Sequence, residues 1–333
     1  MKKVNLALIG ATGLVGATVL QVLSERKLPI NNFYAYSSEK SAGSLVSLGG
    51  DLHKVMELTE ENLDRDINIA IFCTGAEISE KFVPLLTRKG CAVIDNSSHY
   101  RMDKTVPLVV AEVNPEDVKW HKGIIANPNC STIQAVVALN PLKNKYGLKR
   151  VVYSTYQSVS GAGSAGIEDL KNGSNHTFPQ GISHNLIPQI DDFLDSGYTK
   201  EEMKMINETK KILHQEDLKV TATTVRVPVF CSHCESINIE LEKSFDIDEV
   251  KAVLESSPGI IVKDDIEKGR YPTPRDTAGS DSVYLGRIRR DESLENGLNI
   301  WCVADNLRKG AATNAVQTLE LLINSDRQAG GIE

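Results

Sequence analysis

Apolar positions in the first half of the chain cluster in short strand-like runs, most of them followed by a segment of helical period. Val4–Ile9 is predicted as a buried strand, Gly13–Arg26 as a helix and Asn32–Tyr36 as a second strand. Ile67–Cys73 and Cys91–Asp95 read as further strands around a helix at Ser79–Lys89. Gly123–Ala126 is a last short strand before a helix from Cys130 to about Tyr146. Apolar strands alternating with helices predict a doubly wound parallel sheet that binds ligands at its carboxyl edge. After about residue 147 the pattern changes. Leu148–Val159, Val220–Val227, Ser236–Leu241, Ser282–Ile288 and Leu298–Val303 read as longer, β-branched strands. Few helices separate them, notably Lys200–His214 and Ile247–Leu254, which suits a mixed or antiparallel sheet with helices on one face. Gly173–Pro188 is an expected loop, and Arg308–Ile323 a closing helix that returns to the first domain.

Composition narrows the class. The 333 residues exceed what one core organises, and 41% apolar with 24% charged residues is ordinary for a soluble globular protein. A net charge of −7, with no basic cluster longer than Arg287–Arg290, speaks against nucleic acid as a partner. No apolar run approaches the roughly 20 residues needed to span a bilayer. Met1-Lys2-Lys3 leads into a strand with no signal-peptide pattern, so a cytoplasmic protein is expected. Six scattered cysteines suit reduced thiols rather than a disulfide framework.

Two motifs carry chemistry. Gly10-Ala11-Thr12-Gly13-Leu14-Val15-Gly16 joins the first strand to the first helix, where glycines let backbone N–H groups approach a pyrophosphate. With this loop the first half reads as a Rossmann-type domain over 1–129, joined by the C-terminal helix at 308–326. A second α+β domain with a mixed or antiparallel sheet then occupies 130–307. At the end of the second strand, Ser38, Lys40 and Ser41 favour NADP, while Glu39 leaves NAD possible.

The second motif is Asn127-Pro128-Asn129-Cys130-Ser131-Thr132, which places a cysteine at a helix start. The dipole and free N–H groups there favour thiolate, although most cysteines are simply buried. The backbone N–H groups of that first turn are candidates for an oxyanion site. A nucleophilic cysteine needs a base, and His233 in Arg226–Glu235 is the best candidate beside a purely structural reading. Cys231 and Cys234 flank it as Cys-x-x-Cys, but without a second ligand pair no metal site is expected.

Together these residues resemble the aspartate-β-semialdehyde dehydrogenase family over nearly the whole chain. The landmarks are Gly10–Gly16, Asp95–Ser98, Val106–Val113, Pro128–Thr132, Gln157 with Ser160-Gly161, Glu201–Lys204, Arg226 with His233, and Asp305–Ala312. The resemblance implies NADPH-dependent reductive dephosphorylation of 4-phospho-L-aspartate to L-aspartate 4-semialdehyde, on the route to lysine (through diaminopimelate), threonine and methionine. It implies Cys130 as thioester nucleophile, His233 as acid/base partner and Gln157 as the residue positioning the acyl group. Arg226 would clamp the substrate α-carboxylate, Glu201 would meet its ammonium, Arg101 and Lys204 would hold phosphate, and Asn129 would line the substrate site. Gly10, Thr12, Gly13, Leu14, Val15, Ser38, Lys40, Ser41, Ser160, Gly161 and Asn306 are the implied cofactor contacts. Read without the resemblance, Glu201 and Lys204 are a surface ion pair and Arg101 a surface arginine.

Inorganic phosphate and a homodimer, with a tetramer as the alternative, complete the expected partners. The segment between Gly166 and Pro188 is shorter than the helical insertion of many relatives, which bears on the oligomer. The cysteines beside His233 suggest a redox sensitivity that the family pattern does not require. The rival readings are N-acetyl-γ-glutamyl-phosphate reductase, which has no use for an acid facing an ammonium, and a non-catalytic dinucleotide-binding sensor.

Overall fold

The computed structural model describes residues 3–329. In chain order the elements are β1 (Val4–Ile9), α1 (Leu14–Arg26), β2 (Ile30–Ser37), β3 (Leu45–Leu48), β4 (Asp51–Glu57), β5 (Ile69–Phe72), α2 (Ala76–Thr87), β6 (Ala92–Asp95) and β7 (Ile124–Ala126). There follow α3 (Cys130–Tyr146), β8 (Leu148–Gln157), α4 (Gly163–Asn172), α5 (Lys200–Ile212), β9 (Lys219–Arg226), β10 (His233–Leu241) and α6 (Ile247–Glu255). The last are β11 (Ile260–Val262), α7 (Pro274–Thr277), β12 (Val283–Asp291), β13 (Gly297–Ala304) and α8 (Asn314–Ala329). The chain divides into two compact units, one of residues up to Pro128 together with those from Ala311 on, the other Asn129–Gly310.

The first unit holds a seven-stranded sheet in the order β3-β4-β2-β1-β5-β6-β7, parallel throughout except for the β3–β4 pair. Strand β1 explains its two layers, because successive side chains point to opposite faces. Leu6 and Leu8 pack with Val19, Val22 and Leu23 of α1 and with Ala315, Val316 and Leu319 of α8. Ala7 and Ile9 pack with Phe82, Val83 and Leu86 of α2 on the other side. Asn314 fastens the start of α8, donating to Val109 O at 2.8 Å and to Asn127 Oδ1 at 2.7 Å.

The second unit holds a six-stranded sheet in the order β11-β12-β13-β10-β8-β9, with parallel pairs at both edges and antiparallel pairs between. One face is buried, with His233, Glu235, Ile237, Ile239 and Leu241 following each other along β10. The other face keeps Tyr156 and Trp301 partly exposed, their ring centroids 5.6 Å apart. None of the described helices is long and apolar enough to cross a membrane.

Three features differ from expectation. The β3–β4 hairpin turns on Gly49-Gly50, both at positive φ (62° and 100°), a two-residue turn that only glycine adopts freely. Strand β8 stops at Gln157 rather than Val159, and the glycine-rich stretch after it, for which no element was expected, forms α4, while Gly173–Pro188 is a loop as expected. Gly166 allows this, since a Cβ there would lie 2.6 Å from Val159 O. The closing segment is not one helix from Arg308. A π-helical turn spans Arg308–Thr313, where Asp305 Oδ1 accepts the N–H groups of Leu307 and Arg308, and α8 begins only at Asn314.

Candidate active site

Cys130 opens α3, and its neighbour Asn129 is the N-cap. Asn129 Oδ1 accepts from Ser131 N at 3.0 Å and Thr132 N at 3.2 Å, satisfying the donors that a helix start leaves open. Of the first-turn N–H groups expected to serve an oxyanion, those of Ser131 and Thr132 are therefore already taken by the cap. Helix α5 fixes the cap from outside. Glu201 Oε1 accepts Asn129 Nδ2 at 2.9 Å, and Glu208 Oε2 accepts Asn129 N at 2.6 Å. Gly310 lies against the cysteine, where an added Cβ would come within 2.9 Å of Cys130 Cβ.

His233 begins β10 and is fully buried. Its Nδ1 accepts the main-chain N–H of Ser158 at 3.0 Å. A nitrogen that accepts an N–H carries a lone pair, so the neutral ring has its proton on Nε2. Nε2 itself has no hydrogen-bond partner among the described residues. Burial, and next the charge of Arg226, hold the His233 pKa well below the ordinary histidine value. The ring is therefore neutral and presents an N–H donor. The turn before it is strained: Ser232 has φ 72° and donates its N–H to Asn306 Oδ1 at 3.0 Å. That oxygen also accepts the hydroxyls of Ser158 and Ser160, at 3.1 and 3.0 Å. Asn306, assigned to the cofactor from sequence, is thus the anchor of the His233 turn.

Parallel register sets Gln157 of β8 beside Arg226 of β9 at one end of the sheet. Arg226 Nη1 donates to Ser158 O at 2.7 Å, and its guanidinium faces the Phe178 ring at 5.8 Å. Burial lowers the Arg226 pKa, against the charges of Glu201 and Cys130. Gly161 makes room for both working side chains: a Cβ there would lie 2.8 Å from Arg226 Nη1 and 3.3 Å from His233 Nε2. Gln157 Nε2 reaches Thr155 Oγ1 and Glu201 Oε1, each at 3.3 Å. Glu201 Oε2 receives Lys204 Nζ at 3.2 Å, and Lys204 also pairs with Asp191 at 2.8 Å. Glu201 is nearly fully buried, so the reading of a surface ion pair is set aside. Hydrogen bonds and contacts thus link Asn129, Cys130, Gln157, Ser160, Gly161, Glu201, Lys204, Arg226, His233 and Asn306 in one unit.

The other sequence-derived residues lie in the first unit. Gly10 (φ 83°) ends β1, and a Cβ on it would lie 2.4 Å from Cys73 O. A Cβ on Gly16 would lie 2.1 Å from Gly10 O, so these two glycines are needed for the tight strand-to-helix approach. Thr12 hydrogen-bonds Ser37 at 2.8 Å, while Leu14 and Val15 start α1, which has no side-chain cap. Its open N–H groups fit an anion such as a pyrophosphate. Ser38 and Lys40 are exposed just beyond β2, and Ser41 is half-buried. Arg101 is almost wholly buried rather than a surface arginine. It donates from Nε to Asn127 O at 3.0 Å and from Nη2 to Asn96 O at 2.8 Å.

Sequence reasoning missed Ser158 and Glu208, and gave Gly310 no role although it lies in the Asp305–Ala312 landmark. Glu208 left a signal too, lying seven residues from Glu201 on the same face of α5. No cluster of three or more His, Cys, Asp or Glu able to hold a metal occurs among the described residues. The thiols flanking His233 are poor nucleophiles: burial pushes Cys231 up to about 11 and Cys234 up to about 12.

Comparison with known proteins agrees with this layout. Residues 5–121 match the family model "Semialdehyde dehydrogenase, NAD binding domain", and residues 139–309 match "Semialdehyde dehydrogenase, dimerisation domain". An aspartate-semialdehyde dehydrogenase of Aquifex aeolicus is 52% identical over 96% of this chain and 98% of its own length. The structure of aspartate semialdehyde dehydrogenase II from Vibrio cholerae, complexed with ASA, superposes with a TM-score of 0.93 at 44% identity, covering 97% of this chain and 99% of that one. That of the Candida albicans enzyme with NADP gives 0.78 at 26% identity, covering 97% and 99%. The chain belongs to the aspartate-semialdehyde dehydrogenase family, oxidoreductases of amino-acid biosynthesis with a nucleotide-binding and a dimerisation domain.

Proposed function

We propose that this chain performs the NADPH-dependent reductive dephosphorylation of 4-phospho-L-aspartate through a thioester on Cys130, on the way to lysine, threonine and methionine. The observation that carries this reading is the doubly anchored Asn129 cap, which holds Cys130 at a helix N-terminus. That position favours a thiolate.

The Cys130 sulfur attacks the acyl carbon as the bond to the phosphate oxygen breaks, and Arg101 and Lys204 bind the departing phosphate. Arg226 holds the α-carboxylate through its planar fork, Glu201 meets the ammonium, and Gln157 with Asn129 orients the acyl group. NADPH, when bound, supplies the hydride that reduces the thioester carbon. Gly10, Thr12, Gly13, Leu14 and Val15 would hold its pyrophosphate, and Ser38, Lys40 and Ser41 its 2′-phosphate. Ser160, Gly161 and Asn306 would serve the nicotinamide end. His233 Nε2–H hydrogen-bonds the oxygen of the tetrahedral intermediate and stabilises its charge until the carbonyl reforms and the Cys130 thiolate leaves. With its proton on Nε2, the neutral ring acts as donor to the substrate rather than as base toward Cys130.

A homodimer formed by the second unit, and a cytoplasmic setting without nucleic-acid partners, belong to the same reading. The test follows reduced-nicotinamide absorbance with L-aspartate 4-semialdehyde, phosphate and NADP. Phosphate-dependent reduction that vanishes in Cys130→Ala is the expected result. Turnover of N-acetyl-glutamate 5-semialdehyde instead would move the assignment to the rival reductase.

A further inference from the structure

Beneath the row that carries Gln157, Arg226 and His233 lies a second polar layer that the chemistry above does not use. Glu235, two residues after His233 on the same face of β10, is fully buried. Neither of its carboxyl oxygens has a hydrogen-bond donor among the described residues. It lies beside the amide of Gln134, which is one turn of α3 beyond Cys130. Gln134 Nε2 donates to the main-chain oxygen of His233 at 3.3 Å. That carbonyl can only accept, so the amide orientation is fixed and Gln134 Oε1 points away from it. Gln134 Oε1 is also without a partner. Both carboxyl oxygens of Glu235 are thus buried with only the neutral Gln134 amide beside them, an arrangement that costs free energy unless a proton is present.

The surroundings agree. The titratable groups acting on Glu235 are Glu201 from α5, Tyr153 from β8, Cys302 from β13 and Cys234 on its own strand, with His233 held neutral beside it. None of these carries a fixed positive charge. Burial, and in lesser degree the Glu201 carboxylate, raise the Glu235 pKa well above the ordinary glutamate value, with the Gln134 amide opposing them.

We propose that Glu235 is kept as a neutral carboxylic acid packed against the Gln134 amide, steadying the amide that holds the His233 main chain. Glu235 is then a positioning residue for His233, acting through Gln134. Its neutrality also spares His233 a neighbouring negative charge, which would favour the imidazolium. The proposal rests on His233 being the hydrogen-bond donor of the reaction.

Two measurements on the whole protein need no turnover. Difference infrared spectroscopy of wild type against Glu235→Gln at neutral pH should show the carbonyl stretch of a protonated carboxyl in the wild type alone. A raised carboxyl pKa means that the folded state binds one proton more than the unfolded state. The stabilisation present below about pH 4.3 is therefore lost as pH rises toward the folded value, about tenfold in the folding constant per pH unit. Glu235→Gln should remove that loss. In turnover, Glu235→Gln keeps a neutral group of the same shape against the Gln134 amide and should keep kcat and its pH profile. Glu235→Ala should lower kcat about tenfold or more with KM little changed, the split expected when a group working in the transition state is misplaced. A carboxylate signature in the infrared, or an unchanged pH dependence of unfolding in Glu235→Gln, overturns the proposal. So does full kcat in a folded Glu235→Ala. If the thioester route fails instead, Cys130→Ala stays active while the infrared result stands.

Discussion

The main-chain N–H of Ser158 points at Nδ1 of His233 across 3.0 Å, and this one contact decides which side of the imidazole can donate a hydrogen bond. An Nε2–H donor is copied in part by glutamine, whose amide can reach the same place. His233→Gln should therefore retain more activity than His233→Ala, which should lose roughly 10²–10⁴-fold in kcat. Steady-state kinetics with both variants decide this. The lowered pKa adds a pH expectation. His233 stays neutral as pH falls through the free-histidine range near 6.5, so no limb of kcat/KM centred there should disappear in His233→Gln.

Glu208 accepts the Asn129 N–H at the turn that carries Cys130, the proposed nucleophile. Glu208→Ala leaves that buried donor unmatched and should cost about 1–3 kcal/mol, read from denaturant unfolding. A fall in kcat should accompany it, since Cys130 is the next residue. Glu208→Gln keeps an acceptor and should recover most of both.

Gly161→Ala places a methyl group 2.8 Å from Arg226 Nη1. The backbone φ of Gly161 is not positive, and the nearest atom is the tip of a side chain, so the fold should survive. Displacing the guanidinium by about an ångström should lower kcat/KM by on the order of 10²-fold. An unaltered Tm with a raised substrate KM is the expected pattern.

The nucleotide loop offers a contrast of neighbours. Gly16→Ala sets a Cβ 2.1 Å from a backbone oxygen and should destabilise by about 1–3 kcal/mol or more. Gly13→Ala meets nothing closer than 3.5 Å at a negative φ and should cost under about 1 kcal/mol. Thermal unfolding of the two variants separates these cases.

Lys40 is exposed in the turn after β2, between Glu39 and Ser41. If it meets a 2′-phosphate, Lys40→Glu should raise KM for NADPH about tenfold or more while leaving KM for NADH nearly unchanged. Equal effects on both cofactors would remove the assignment.

The parallel sheet was legible because β1, β5 and β6 are short, mainly apolar runs, a pattern produced by burial on both faces. Helix α4 was not, since Gly161, Gly163 and Gly166 have poor helix propensity and the packing against Val159 that selects glycine is tertiary. Cys130 and His233 could be picked out by residue type and neighbours. What holds them could not: Ser158 acts through its main chain, and Glu208 and Glu235 read as ordinary charges on a helix and a strand until burial is known. The π-helical turn at Arg308–Thr313 was hidden for the same reason, because Gly310 answers to Cys130 across the unit rather than to its own neighbours.

The return of α8 to the first unit has a consequence for the order in which the chain can mature. Ala315, Val316, Leu319, Leu322 and Ile323 fill the layer that covers Leu6 and Leu8 of β1. On the ribosome those residues emerge only after the whole of Asn129–Gly310 has been made. At about 5–20 residues per second that interval is roughly 10–40 s, during which the amino-terminal sheet waits with one layer incomplete. The middle of the chain can therefore finish folding before its beginning does. A truncation that removes α8 should strand the nucleotide-binding half as an aggregation-prone intermediate, although every residue of its glycine loop is present.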